Sequence, residues 1–416
     1  GAVHLAFTLA LVFLLYPATS KQSKTSGIPF YDFILAALGV ASALYLVFFF
    51  NDLVTRAGLP TTTDLVMGFI LIATLLEATR RISNPVLPCL AIIALLYCYF
   101  GRYMPQMLAH RGFSVARIVN HMYLGTEGIF GTPLEVSSTF VFMFILFGAV
   151  LEKTGLGKFI IDLSMALAGW STGGPAKVAI VSSGLMGTVS GSSVANVCTT
   201  GMFTIPLMKS VGYEPHFAGA VEAVASTGGQ IMPPVMGAGA FIMAQFLGVP
   251  YIQVAVAAIV PALLYYFAVM VQVHFEACRL GLKGIPWSQL PPIWPLLKSK
   301  GFLLIPLIAI IYFLLAGYTP LKAAFNGILV SFVLSWLNKE TRLTPVRIYE
   351  AFQAGARGAI GVACACATVG MVVGMGTLTG LALRIAGAIV TAAGGSKILT
   401  LIFTMCASII LGTGLP

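Results

Sequence analysis

Long apolar stretches with almost no charged residues constrain this chain more than any other feature of its sequence. These stretches cover residues 30–50, 65–79, 85–100, 134–151, 251–275, 302–317 and 397–411. A helix needs roughly 17–25 mostly apolar residues to cross the hydrocarbon core of a bilayer. Only 9% of all residues are charged, against about a quarter in soluble domains. The sequence therefore predicts an all-α polytopic membrane protein.

Neither the charged residues nor the cysteines indicate a nucleic-acid or metal-binding protein. The net charge of +10 comes from Lys and Arg scattered over the connections between apolar stretches, as is typical of the loops of membrane proteins. Almost all of the seven cysteines lie within apolar stretches, and Cys364 and Cys366 form a C-x-C pair with no histidine close by. We interpret them as small buried side chains, and we expect no nucleic acid and no bound cofactor.

A polar, glycine-rich run, SGSSVANVCTTG, interrupts the apolar sequence at residues 190–201. The surrounding segment, 178–206, is too short for two membrane crossings but long enough to enter the bilayer halfway and return. We therefore predict a re-entrant hairpin whose tip presents hydroxyls and an amide. The pattern Gly187-x-x-x-Gly191 is also typical of close helix packing in membranes, in which hydroxyls bond to their own helix. That alternative stays open.

A second irregular segment, GGQIMPP, begins at Gly228 and interrupts the next apolar helix. Pro233 and Pro234 have no amide proton to donate, and the two glycines tolerate non-helical geometry. Backbone carbonyls near Gly229, Met232 and Pro233 are therefore expected to lose their helical partners. Such backbone is tolerated at membrane depth only where it is buried in protein or lines a cavity, and its carbonyls are ligands for a small cation such as sodium.

The second half of the chain repeats parts of the first after a shift of 183 residues. The shift pairs Gly187 with Gly370, Gly191 with Gly374, Gly229 with Gly412 and Pro233 with Pro416. We interpret this as a diverged internal duplication, in which GMGTLTG at 374–380 forms the second tip. Paired interruptions of this kind point to the binding site of a transporter. The second copy stops short of the first, so we expect the functional unit to be longer.

Two charged residues, Glu222 and Arg384, fall on the segments next to the two tips. A charge at mid-membrane costs roughly 2.5–3.5 kcal/mol on insertion scales, and is for that reason a hypothesis for a functional residue. Each of the two residues can equally pair near a membrane surface. We therefore name both as candidate buried charges and leave the choice open.

Motifs of soluble enzymes such as H-E-x-x-H and the P-loop are absent from the sequence. A membrane-embedded hydrolase with Ser192 or Ser193 as the nucleophile is the enzymatic alternative. The sequence offers no histidine or lysine base at membrane depth near these serines, and a serine nucleophile needs such a base. We therefore predict that the protein is not an enzyme.

The run GSSVANVCTTG, followed by GYEPHFAGAVEAVASTGGQIMPPVMGAGAFIMAQFLGVPY, resembles the large membrane subunit of tripartite ATP-independent periplasmic (TRAP) transporters, and most of all the fused permeases. The resemblance covers roughly residues 60–416. It implies an elevator-type transporter of the bacterial or archaeal cytoplasmic membrane, with inverted repeats, two re-entrant hairpins and two broken helices. It also implies sodium-driven import of small organic-acid anions delivered by an extracytoplasmic binding protein.

The fused permeases typically serve binding proteins of the TRAP-associated extracytoplasmic immunogenic (TAXI) type, which suggests a dicarboxylate, a 2-oxo acid or glutamate as the substrate. Two other transport or binding functions stay open. One is a sodium/dicarboxylate elevator symporter that takes its substrate directly from solution. The other is a scaffold for a complex, in which the polar residues serve only helix packing.

The resemblance and the duplication together divide the chain into three regions. Residues 1–110 are predicted to be scaffold helices like those of the small subunit. The first repeat, 111–285, is predicted to contain a scaffold span, an arm helix, the hairpin 178–206, a broken helix 218–246 and a span 251–275. The second repeat, 286–416, is predicted to contain a hairpin at about 357–392 and a truncated broken helix 397–416.

The resemblance also implies two sodium sites with the substrate between the two tips. The first sodium site is expected at Ser190, Ser193, Asn196, Gly229, Met232 and Pro233. The second is expected at Gly374, Thr377, Thr379, Gly412 and Leu415. The substrate is expected at Ser192, Asn196 and Thr379, and no metal other than sodium is expected.

Overall fold

The computed structural model describes residues 1–18, 28–56, 58–83, 85–105 and 108–412, with the backbone alone at 410–412. No β-strand occurs within these ranges. Their helices are α1 (Ala2–Leu15), α2 (Phe30–Phe48), α3 (Phe50–Thr55), α4 (Thr62–Ile82), α5 (Val86–Phe100), α6 (Val115–Tyr123), α7 (Thr132–Val136), α8 (Phe142–Lys153), α9 (Leu156–Ala168), α10 (Gly174–Ser190), α11 (Ser193–Ser210), α12 (Pro215–Gly228), α13 (Ala238–Leu247), α14 (Tyr251–Arg279), α15 (Ile293–Lys300), α16 (Ile305–Leu315), α17 (Pro320–Ser335), α18 (Pro345–Thr379), α19 (Leu381–Ala392) and α20 (Lys397–Gly412).

Six helical segments are long and apolar enough to cross a membrane. They are Phe30–Phe48, Val86–Tyr103, Thr132–Lys153, Tyr251–Arg279, Trp287–Leu315 and Pro345–Thr379. The prediction of an all-α polytopic membrane protein is confirmed by these spans and by the helical content. The chain forms two compact units: Gly1–Ser138 with Ile360–Pro416, called the first unit below, and Thr139–Ala359, called the second unit.

In the first unit, an ion pair lies near each end of α4. At one end, Arg81 lies 2.7 Å from Asp32, and both side chains are almost fully buried. At the other end, Arg56 lies 2.9 Å from Asp64, whose backbone and side chain also form a capping box with Thr61. Seventeen residues of helix separate Asp64 from Arg81, which at 1.5 Å per residue is roughly 26 Å. That length is close to the hydrocarbon thickness of a bilayer.

The second unit is organised around α10, α11, α12 and α14. Its core includes the buried side chains of Ala179, Ile180, Ala225, Tyr266 and Val269. Small residues on α10 and α12 allow their backbones to approach closely, as is usual at helix contacts in membranes. This packing brings the polar run and the interrupted helix of the first repeat into one unit.

Candidate functional site

Residues 178–206 form parts of two helices, α10 and α11, that meet at Gly191 and Ser192. Gly191 has a φ of +59°, a conformation that residues with a Cβ rarely adopt. Ser192 caps α11, because its Oγ accepts a hydrogen bond from the amide of Ala195 at 3.3 Å. The two helices run side by side, since Ser183 Oγ on α10 lies 3.2 Å from Thr200 Oγ1 on α11. The pair is called the first hairpin below, and its depth in a membrane stays a prediction.

The helix after this hairpin is interrupted at the glycines and prolines that the sequence singles out. Helix α12 ends at Gly228 and α13 begins at Ala238. Between them, the amides from Gly229 to Met232 each bond to the carbonyl three residues earlier, which makes a tight turn. One expectation changes here. The Gly229 carbonyl accepts the Met232 amide at 3.3 Å, so this carbonyl is paired, because the chain tightens before it leaves the helical geometry at Pro233.

The tip of the first hairpin lies against this interruption. A Cβ on Gly187 would overlap the Cα of Gly229, and a Cβ on Gly191 would overlap the carbonyl oxygen of Met236. A side-chain hydrogen bond of 3.2 Å also joins Gln230 Nε2 to Ser193 Oγ. Only glycine permits backbones this close, which explains why glycines occur on both sides of the contact.

Two buried side-chain oxygens at this contact have no hydrogen-bond partner among the described residues: Asn196 Oδ1 and Ser190 Oγ. Asn196 is fully buried, and its Nδ2 donates to the Ser183 carbonyl at 2.8 Å. The amide nitrogen is thereby occupied, and the amide oxygen is left as an acceptor. Most buried polar atoms in proteins have a partner. Two unpartnered oxygens near one tip therefore indicate a place for a ligand, such as a cation, that oxygen atoms can coordinate.

The other residues predicted for the first sodium site lie around the same contact. Ser193 is the first residue of α11, and Met232 and Pro233 are half-buried residues of the interruption. The structure therefore brings the six predicted residues to one region of the second unit. Their role as sodium ligands stays a prediction.

The second proline of the pair and the residue after it are hydrogen-bonded by Tyr251, which was not among the residues predicted from the sequence. The hydroxyl of Tyr251 donates to the carbonyls of Pro234, at 2.8 Å, and Val235, at 2.6 Å. Its ring stacks on Phe241, with the ring centroids 4.2 Å apart. Tyr251 follows a proline at the start of α14, and nothing in its local sequence distinguishes it from an interfacial aromatic residue.

The predicted buried charge Glu222 is fully buried in α12. Its carboxylate accepts hydrogen bonds from the hydroxyls of Thr200 and Thr204, each at 2.5 Å, and from those of Ser183 and Ser226, each at 3.1 Å. None of these four partners was predicted from the sequence to contact Glu222. Thr200 and Thr204 are four residues apart, as are Glu222 and Ser226, so each pair lies on one helix face. This spacing is the feature of the sequence that could have indicated these partners.

The second candidate charge, Arg384, is in a different environment. It is exposed on α19 and donates to the Ala109 carbonyl at 2.5 Å. Helix α19 has no buried residue, so nothing encloses the guanidinium. This geometry matches the alternative of pairing at a surface.

In the first unit, the predicted second sodium site is only partly described. Gly374 and Thr377 lie near the end of α18, where His121 Nε2 is 3.0 Å from the Gly374 carbonyl oxygen and 3.2 Å from Thr377 Oγ1. His121 was not among the residues predicted from the sequence. Thr379 donates to its own helix, at the Met375 carbonyl.

The rest of that site lies at the end of the chain. Gly412 is the last residue of α20, and Leu415 lies outside the described residues. The segment predicted as the second hairpin, about 357–392, falls on α18 and α19, with Gly380 between them. Of the predicted substrate residues, Ser192 and Asn196 belong to the second unit and Thr379 to the first. The second sodium site and the substrate site stay predictions.

Comparison with known proteins gives a consistent family. A family model described as tripartite ATP-independent periplasmic transporter, DctM component, matches residues 69–416. A putative TRAP transporter large permease protein of Haemophilus influenzae is 30% identical over 193 residues, which are 46% of this chain and 45% of that protein. The isethionate TRAP transporter permease protein DctMQ of Oleidesulfovibrio alaskensis is 26% identical over 341 residues, or 76% of this chain and 50% of that protein.

A third relative is the C4-dicarboxylate TRAP transporter large permease protein DctM of Vibrio cholerae, which is 25% identical over 226 residues, or 53% of this chain and 47% of that protein. The chain spans about half the length of the curated relatives it matches. The family match begins at residue 69, within α4. The boundary at residue 110 for the region like the small subunit stays a prediction.

Proposed function

The chain belongs to the DctM component family of tripartite ATP-independent periplasmic transporters and is a multi-pass protein of the inner membrane, and from that premise we propose that it is the permease of a sodium-coupled importer of small organic-acid anions. The named relatives transport isethionate and C4-dicarboxylates, which are organic acids. In this proposal an extracytoplasmic binding protein of the TAXI type delivers the substrate.

The observation that carries the sodium assignment is the pair of buried, unpartnered oxygens, Asn196 Oδ1 and Ser190 Oγ. Both belong to the first hairpin, and its tip lies against an interrupted helix. Interrupted helices at membrane depth supply carbonyl and side-chain oxygens to coupling ions in transporters. An oxygen donor set without thiolate or imidazole suits a hard alkali cation better than a transition metal.

The membrane potential sets a minimum stoichiometry for useful uptake. Moving one elementary charge across the membrane contributes about 2.3 kcal/mol per 100 mV. One sodium ion with a monoanion moves no net charge, so voltage does not drive that import. Two sodium ions with a monoanion move one positive charge inward. We therefore propose two sodium ions per monoanion and more than two per dianion.

The proposal is tested by uptake of radiolabelled acids into proteoliposomes that contain the permease. The binding protein and external sodium are each supplied or omitted, with choline replacing sodium at constant ionic strength. We expect uptake only when both are present. Equal uptake in choline would refute sodium coupling, and uptake without the binding protein would favour the symporter that takes substrate directly from solution.

The membrane-hydrolase alternative has its own test. A fluorophosphonate probe that reacts with activated serines is applied to the purified permease, followed by mass spectrometry of the peptide that contains Ser192 and Ser193. We expect no labelling, because neither serine has a general base in hydrogen-bond reach among the described residues. Labelling of either serine would support the hydrolase.

A further inference from the structure

The four hydroxyls around Glu222 fit an ionised carboxylate. An ionised carboxylate only accepts hydrogen bonds and has about four acceptor sites. All four hydroxyls are placed to donate to it, from three different helices. The two threonine contacts are the shortest of the four.

No positive side chain balances this charge locally. Among the described residues, no Lys, Arg or His nitrogen lies within 4.0 Å of the Glu222 carboxylate. Burial of an ion without an opposite charge is unfavourable, and hydroxyl dipoles compensate only part of that cost. The site therefore favours a cation in its surroundings.

A short chain of contacts connects this carboxylate to the tip of the first hairpin. Ser183 donates its hydroxyl to Glu222 and accepts the Asn196 side-chain amide at its carbonyl. The Thr200 hydroxyl, which contacts Glu222, also lies 2.8 Å from the Asn196 carbonyl oxygen. The buried negative charge and the orphaned Asn196 oxygen thus belong to one polar network in the second unit.

We propose that Glu222 provides the counter-charge for the cation bound at the tip of the first hairpin, without coordinating it. This inference rests on the proposed sodium coupling. Hydroxyl partners hold the carboxylate away from the tip, so that its field attracts the cation while Asn196 and Ser190 supply oxygen ligands. A neutral oxygen shell alone would bind sodium more weakly.

The variants Glu222→Gln and Glu222→Asp separate charge from packing. Glutamine keeps the size of the side chain and removes the charge, whereas aspartate keeps the charge and shortens the side chain. Opposite unit charges about 10 Å apart, at an effective dielectric constant of about 20, change a binding constant about tenfold or more. We expect Glu222→Gln to raise the half-saturating sodium concentration at least about tenfold, and Glu222→Asp to raise it less than about threefold.

A matched control is Glu350→Gln, which removes one negative charge from the same unit. Glu350 is exposed and pairs with Lys153 at 2.8 Å, so screening by water and salt keeps its effect on sodium affinity below about twofold. Two measurements are made for each variant: sodium-dependent uptake in proteoliposomes, and the sodium-dependent shift of the melting temperature in detergent. The second measurement reports sodium binding without transport.

The outcomes distinguish this inference from the proposed function. If the wild type shows no sodium dependence in either measurement, the proposed sodium coupling fails. If the wild type responds to sodium and Glu222→Gln responds equally, the carboxyl is neutral or remote, and the counter-charge role is refuted.

Thr204→Val provides a test that does not depend on the folding of Glu222→Gln. This variant removes one hydroxyl donor and keeps the charge, so its half-saturating sodium concentration should stay within about threefold of the wild type. A tenfold increase would show that the hydroxyl packing, and not the charge, sets sodium affinity.

Discussion

Replacing Gly229 by alanine tests whether the hairpin tip and the interrupted helix form one site. A Cβ at Gly229 would lie 2.9 Å from the Cα of Gly187 and 3.2 Å from Asn196 Nδ2. Ordinary van der Waals contact begins at about 3.4 Å, so the two backbones must separate by about 0.5 Å. The contacted atom at Gly187 is main chain and cannot rotate away. The displacement is therefore transmitted to α10 and to the amide of Asn196.

The expected cost follows from overpacking. An added methyl group in a packed interior costs typically about 1–3 kcal/mol, which in a domain of this size lowers the melting temperature by roughly 2–4 °C per kcal/mol. We expect Gly229→Ala to melt several degrees below the wild type. We also expect its half-saturating sodium concentration to rise at least about tenfold, or 1.4 kcal/mol, because the Asn196 oxygen is displaced from its ligand position.

Gly219→Ala is the matched control for this variant. Gly219 lies in α12, and a Cβ there would meet no atom within 4 Å. Alanine is favoured over glycine inside a helix by about 0.5–1 kcal/mol, so this variant should be as stable as the wild type or more stable. Melting curves in detergent and uptake in proteoliposomes are measured for both. If the two variants behave alike, the close contact between tip and interruption does not contribute to the site.

Three further variants, one of them with a matched control variant, test other contacts of the structure. Asn196→Ala removes the orphaned oxygen and should abolish sodium stimulation of uptake while the protein still assembles; altered assembly with unchanged uptake would instead favour the scaffold alternative. Tyr251→Phe leaves two backbone carbonyls without their donor and should cost about 1–3 kcal/mol, measured as a lower melting temperature. Arg81→Ala breaks the buried ion pair of Arg81 with Asp32 and should cost about 3–5 kcal/mol. Arg80→Ala, at an exposed pair, should cost at most about 1 kcal/mol. Equal losses of stability would contradict this view of the first unit.

The sequence by itself determined the class of the protein and the positions where its helices break. Hydropathy is a local property, so the span predicted at 251–275 lies within α14 without any knowledge of its neighbours. Gly228 and the proline pair act on their own backbone, and α12 ends where they occur. The position of Glu222 in an apolar stretch also made it one of two candidate buried charges.

Only the tertiary structure decided which polar atoms are satisfied and which are left for a ligand. Ser183 and Thr204 are ordinary hydroxyl residues in sequence, yet they face Glu222, while Ser190 has an oxygen without a partner. Each residue along a helix is turned by about 100°, so the partner of a side chain depends on how neighbouring helices are rotated and aligned. His121 was missed for the same reason, because its contacts lie more than 250 residues away in sequence.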